Sequence, residues 1–240
     1  EQFKEDDLNG LWQSVESFDI DGDGDQDYLL GNWGMNSKYT ASKDNPMRMY
    51  YGDFDKNGDT ETIVCTYKKG SYYPLASFNE LSSQIVSLRK KFTSYSSFAG
   101  KSITEILDNE QLNNAEILNI SELASGYLKN DNGKLSFIPF GYELQTAPLT
   151  TFLKYDFDNN GTDEVLIAGN YFGVKPYHGR FDSFPGALLK KSNDILLGNQ
   201  LGLNFMFKSV RHTSIFHLKQ IPYLLVTMNN GSAQVYKIRR

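Results

Sequence analysis

Residues 19–27 read Asp-Ile-Asp-Gly-Asp-Gly-Asp-Gln-Asp. The same nine-residue design returns at 53–61 as Asp-Phe-Asp-Lys-Asn-Gly-Asp-Thr-Glu and at 156–164 as Asp-Phe-Asp-Asn-Asn-Gly-Thr-Asp-Glu. Positions 1, 3 and 5 carry Asp or Asn in every copy (Asp19, Asp21, Asp23; Asp53, Asp55, Asn57; Asp156, Asp158, Asn160). Position 6 is Gly, and position 9 is a carboxylate (Asp27, Glu61, Glu164). Short oxygen-bearing side chains on alternate residues meet at one point only if the backbone curls tightly around it. A hard cation such as calcium collects six to eight oxygens at about 2.3–2.6 Å. Glycine at position 6 permits the curl, because it reaches left-handed backbone angles without a Cβ clash. Position 7 (Asp25, Asp59, Thr162) is expected to offer its backbone carbonyl, which leaves its side chain free to vary. Together these residues are the candidate ligands of up to three calcium ions.

The flanks decide what kind of loop this is. A helix–loop–helix calcium hand needs a bidentate Glu at position 12, whereas this chain has Leu30, Val64 and Ile167 there. The residues that follow each loop are short apolar, β-rich runs: Tyr28–Leu30, Thr62–Cys65 and Val165–Ala168. Such runs read as strands. Position 2 is apolar in each copy (Ile20, Phe54, Phe157), as expected if it turns into a core while its neighbours face an ion. The repeating unit is therefore strand, ion loop, strand.

A D-x-D-x-[DN]-G-x-x-[DE] loop between two strands resembles the FG-GAP or VCBS repeats of integrin-α-type β-propellers and of bacterial surface proteins. Two Gly-Asn-aromatic tails, Gly31-Asn32-Trp33 and Gly169-Asn170-Tyr171, add to the resemblance. It covers the loops and their strands closely and residues 10–75 and 120–240 in general pattern. As a whole the chain resembles the C-terminal part of a long bacterial VCBS-repeat surface protein. The resemblance implies structural calcium on one rim of a propeller, with ligand recognition elsewhere on the surface.

Composition agrees with a sheet protein: 15 Tyr, 16 Phe and 20 Gly supply strand formers and turn punctuation. Of the 29 acidic residues, 13 lie in the three loops, and three divalent ions would take the formal charge from −5 to about +1. The acidity is thus mostly a metal-site signature. No block of Lys or Arg points to nucleic acid, and no apolar run approaches the ~20 residues needed to span a membrane. The single cysteine, Cys65, lies in an apolar run and reads as a buried small hydrophobe. The polar start at Glu1, without Met, is consistent with a removed leader or a trimmed chain. Calcium-loaded modules of this affinity class work outside the cytosol, which places the expectation at a periplasmic, outer-membrane-associated or extracellular location.

Between the second and third loops the period changes. Ser77-Phe-Asn-Glu80 is a capping-box pattern, followed by Leu81, Ile85, Leu88 and Phe92 on one helical face. Ser102-Ile-Thr-Glu105 repeats the box, and residues 78–114 read as a helical insertion. Asn130-Asp131-Asn132-Gly133 marks a hairpin, and the C-terminal part offers strands at 187–190, 205–210, 214–218, 223–228 and 234–238. The expectation is one all-β, β-propeller-like domain over 1–240, a complete small or partial propeller of about four blades. The loops start at 19, 53 and 156, an uneven spacing against the 40–45 residues of a regular four-stranded blade.

Tyr177, His178, Arg180 and Asp182 form the one cluster outside the loops with the chemistry of a ligand site, among Tyr171, Phe172, Phe181 and Phe184. Aromatics beside a cation and a carboxylate suit glycan or peptide recognition. The bland alternative is a loop stapled by buried rings and an Arg180–Asp182 contact. No Gly-x-Ser-x-Gly elbow, phosphate loop or dinucleotide fingerprint is present. The expectation is a non-enzymatic, calcium-stabilised cell-surface module that binds a protein or glycan ligand or serves as scaffold. The alternative is a polysaccharide lyase or glycosidase built on a calcium propeller.

Overall fold

The structure is a computed structural model that describes residues 8–175 and 178–239. Strands make up 40% and helices 15% of it, so the fold is mostly β with a helical minority. The first acidic loop joins β1 (Ser14–Phe18) to β2 (Asp27–Gly31). The second joins β3 (Met47–Gly52) to β4 (Glu61–Lys68), and a tight turn leads to β5 (Ser71–Pro74). Five short helices follow: α1 (Phe78–Gln84), α2 (Leu88–Lys91), α3 (Tyr95–Phe98), α4 (Ile103–Ile106) and α5 (Asn109–Asn114). Then come β6 (Glu116–Ile120) and the hairpin β7 (Gly126–Asp131) and β8 (Lys134–Pro139). The third acidic loop joins β9 (Leu149–Tyr155) to β10 (Glu164–Gly169), followed by β11 (Ala187–Lys190) and β12 (Asp194–Leu197). A final meander comprises β13 (Val210–Leu218), β14 (Ile221–Met228) and β15 (Gln234–Lys237).

These strands form four antiparallel sheets, in the orders β1-β2-β7-β8, β12-β11-β10-β9, β13-β14-β15 and β5-β4-β3-β6. No closed barrel or propeller is detected among the described residues. The chain divides into two compact units, one of residues 11–38 with 123–239 and one of residues 8–10 with 39–122. The second unit is thus inserted in sequence between β2 and β7, which pair with each other through Tyr28↔Leu128 and Leu30↔Gly126.

In the first unit β1 runs beside β9, where Ser14 Oγ donates to Leu149 O (2.9 Å). Beyond it β9 runs beside β13, where Thr150 Oγ1 donates to Val210 O (2.5 Å). Leu166, Ala168, Leu188, Val210, Leu224, Val226 and Phe205 form a buried cluster between two of its sheets, with Phe157 packed against it. In the second unit, Tyr50, Ile63 and Cys65 of the sheet and Phe54 of the acidic loop bury against Leu81, Ile85, Leu88, Phe92, Ile103, Ile106 and Leu107 of the helices and their C-caps. Each of these large side chains contributes about 1.5–3 kcal/mol on full burial, which lets helices of four to seven residues persist here.

The capping boxes read from the sequence form as such. Ser77 N–H donates to Glu80 Oε2 (2.7 Å) and Ser102 N–H to Glu105 Oε2 (2.9 Å). Two stretches depart from the expectation. Of the strand expected at 205–210, only Val210 belongs to one, as the start of β13: Phe205 buries completely and its N–H donates to Pro185 O (3.0 Å), while Phe207 turns to φ +60°. The outer strand of that region is instead β12, from an Asp-Ile-Leu-Leu run too short to stand out.

Candidate metal centres

Each acidic loop is the turn of a strand pair closed the same way. Position 9 pairs with the residue just before position 1: Asp27 with Phe18, Glu61 with Gly52 and Glu164 with Tyr155. The position-9 carboxylate then accepts the N–H of position 2. Asp27 Oδ2 accepts Ile20 N (2.9 Å), Glu61 Oε2 accepts Phe54 N (2.8 Å), and Glu164 Oε2 accepts Phe157 N (3.0 Å). The apolar position-2 side chains go inward as expected: Ile20 and Phe54 are buried, and Phe157 is partly buried.

Position 1 accepts from the curl itself. Asp53 Oδ1 and Oδ2 take the N–H groups of Asn57 and Gly58 (3.0 Å each), and Asp156 takes those of Asn160 and Gly161 (3.0 Å each). Position 5 turns to position 7: Asp23, Asn57 and Asn160 accept from Asp25, Asp59 and Thr162 N–H at 2.9, 2.7 and 2.8 Å. The Asp25 carboxylate itself points across the sheet to Asn132 N–H (2.9 Å). Left-handed backbone occurs at position 6 (Gly24, Gly58, Gly161) and also at position 4, where Gly22, Lys56 and Asn159 have φ of 79°, 62° and 60°. The second requirement was hidden in the sequence because position 4 is Gly in only one copy.

This wiring brings three carboxylates together in every loop: Asp19, Asp21 and Asp27; Asp53, Asp55 and Glu61; Asp156, Asp158 and Glu164. One oxygen from each lies within 4.8 Å of the others. Two oxygens on one calcium ion lie at most about 5.2 Å apart, twice the ligand distance, so each trio fits around one ion. In the second loop Asp55 Oδ1 is buried without a hydrogen-bond partner, the kind of orphan that a cation satisfies. An all-oxygen donor set is that of a hard divalent cation. Left without one, carboxylates held this close repel each other.

The loops differ in how far protein cations already balance them. In the first, Lys191 Nζ lies 2.9 Å from Asp19 Oδ2 and Lys129 Nζ 2.5 Å from Asp21 Oδ2. These lysines hold both carboxyls below their ordinary range. In the third, Lys190 Nζ is 3.4 Å from Asp158 Oδ2. In the second, Lys56 turns away to Glu110 (2.9 Å). Burial there raises the Glu61 carboxyl above its usual value, and the charges of Asp55, Asp53 and Asp59 add to the rise. Burial likewise raises Glu164. The second loop therefore has the least compensated acidity.

The Gly-Asn-aromatic tails act as pins. Asn170 is fully buried; its Nδ2 donates to Phe184 O (2.9 Å), Phe205 O (2.8 Å) and Lys208 O (3.1 Å), and its Oδ1 accepts Phe184 N–H (3.0 Å). Buried Asn32 donates to Ala124 O (3.2 Å). A Cβ at Gly31 or Gly169 would collide with the backbone oxygen of Leu149 or Pro148.

Of the second candidate cluster, Tyr177 lies outside the described residues. Arg180 pairs with Asp182 (Nε to Oδ2, 3.3 Å) and stacks over Phe172 at 4.1 Å. Phe181 and Tyr171 pack on Trp33 with ring centroids 5.2 Å apart. Burial, then Lys38 and Lys175, push the His178 imidazole below its ordinary value. Arg180 and Asp182 are thus engaged with their own neighbours. His212 and His217, five apart on β13, are both exposed. Among the described residues, no helix is long and apolar enough to cross a membrane.

Comparison of the chain with known protein families, with curated proteins and with solved structures gives no match.

Proposed function

We propose that the chain is a non-enzymatic, calcium-stabilised binding or scaffold module of FG-GAP/VCBS type, working at a cell surface in a periplasmic, outer-membrane-associated or extracellular setting. One observation carries the reading. Three loops distant in sequence share the bonds from position 2 N–H to position 9 and from position 7 N–H to position 5, and converge three carboxylates at positions 1, 3 and 9. Ions bound there would hold strand pairs that have little apolar material at their tips, through the side chains of those positions with position 5 and the position-7 carbonyl beside them.

A propeller-type arrangement for the three sheets of the first unit is part of the proposal. It is supported by the side-by-side order of β1, β9 and β13, from each of which the sheet runs outward strand by strand. It is also supported by the far side of the last sheet, where Phe216 stacks on Tyr223 (5.5 Å) and Leu218 and Val235 are more than half exposed. Such a face suits a further sheet. The physiological ligand is taken to be a protein or a glycan.

The test is thermal melting with calcium and with excess EGTA. At about 0.1 mM affinity in about 1–2 mM calcium, each site contributes about 1.5 kcal/mol. Superimposable melting curves in the two conditions would refute the proposal.

A further inference from the structure

We infer that the first unit carries a shallow site for one neutral sugar ring between Phe207 and the Asn229-Asn230-Gly231 turn. Phe207 is the observation that starts the argument. It is an aromatic residue at φ +60°, a conformation that bulky L-residues rarely hold, and its side chain remains 66% exposed. Backbone strain is ordinarily offset by what the residue buries, and here the ring buries little. The conformation is imposed instead by the chain on either side: Phe207 N–H donates to Asp182 O (3.0 Å) and Lys208 N–H to Phe205 O (3.1 Å). Strain maintained in order to present a side chain to solvent is characteristic of binding positions.

The ring stands at the edge of a cavity of about 280 Å³ shared with Phe172, Ser209, Met228, Asn229 and Asn230. That volume is at the small end of ligand pockets. The turn opposite Phe207 is fixed, with Asn230 at φ +52° and Asn229 N–H donating to Ser209 O (2.8 Å). The nearby cations are held in place, and one of them, Lys208, lines the cavity. Lys208 Nζ donates to Gln234 Oε1 (3.0 Å) and Tyr236 OH (3.2 Å), and Arg180 is held by Phe172 and Asp182. Beside that ammonium, the cavity offers a ligand an exposed aromatic face and neutral carboxamides, each able both to donate and to accept. A sugar ring offers the matching chemistry: a C–H face for the aromatic ring and hydroxyls for the amides.

The inference rests on the reading as a binding module but not on its calcium. The experiment is saturation-transfer NMR of the full chain with the methyl glycosides of glucose, galactose, mannose and N-acetylglucosamine. Each is used at about 10 mM, above the millimolar dissociation constants of weak sites, beside an N-acetyltyrosinamide control. The expected result is transfer to at least one glycoside, abolished in Phe207→Ala and reduced severalfold in Asn230→Gly. Phe207→Gly, which relieves the left-handed strain, should raise Tm while abolishing the same transfer. No transfer to any glycoside, transfer unchanged in Phe207→Ala, or transfer to the tyrosine amide alone would each overturn the site. Glycoside transfer together with melting indifferent to EGTA would refute the calcium reading and leave this one standing.

Discussion

Removing calcium should expose Cys65 to thiol reagents about ten times faster, and the reason lies in β4. That strand carries Glu61, the position-9 carboxylate of the second loop, and Cys65 on the same face, with Ile63 between them. Cys65 is fully buried, and burial pushes its thiol up to about 12. At pH 8 the closed state is therefore inert, and labelling proceeds only through openings of the second unit, at a rate that tracks the opening equilibrium. An ion at the second loop at about 0.1 mM affinity, in about 2 mM calcium, stabilises the closed state by about 1.5–2 kcal/mol. Each 1.4 kcal/mol is a factor of ten. The assay is the rate of Cys65 modification by an aromatic disulfide with calcium and with EGTA. Asp53→Ala should label at one rate in both conditions, at least as fast as the native chain in EGTA, because it removes a candidate ligand together with the acceptor of Asn57 and Gly58 N–H. Equal rates for the native chain with and without calcium would show that the loop does not couple an ion to the fold.

Lys191→Ala frees Asp19 from its ammonium partner, so calcium affinity measured by titration calorimetry at the first loop should rise severalfold; a fall would mean that the lysine, rather than an ion, is the partner the loop is built for. Lys56→Gly removes a side chain from φ +62° together with its exposed Glu110 pair, which contributes little, and should stabilise the second unit by about 0.5 kcal/mol in urea titrations, the balance of relieved strain and added chain entropy. Gly58→Ala at φ +92° should destabilise it in the same assay, although a Cβ there meets no neighbour. Glu105 is held at about 2 by Lys101 and by the Ser102 N–H and hydroxyl. Its folded value lies below the ordinary one, so its contribution is present above about pH 4.5 and fades as pH falls toward 2. Glu105→Gln should flatten that part of the stability–pH curve.

The loops and their strands were legible because their requirements are local. Ligand spacing, a glycine at the curl and an apolar position 2 are fixed within nine residues, and the Ser77 and Ser102 caps within four. The Asn132-Gly133 turn was equally plain, with both residues at positive φ. What escaped depends on partners far away in sequence. Nothing in the chain around Tyr28 says that its strand pairs with Leu128 across an inserted unit. Lys129 and Lys191 carry no periodic signal that would assign them to the first loop. β6 follows α5 after a single residue with no turn signal between them, and it leaves Leu118 more than half exposed on an edge strand. Asn32 and Asn170 stood out only as parts of a repeated tripeptide. Their role as buried pins emerges from the carbonyls that surround them.

The most direct measurement is the calcium content of the chain at equilibrium, by dialysis against about 2 mM calcium. Three ions per native chain are expected, and one fewer in each of Asp19→Ala, Asp53→Ala and Asp156→Ala. A native chain that retains no calcium under those conditions would contradict the account.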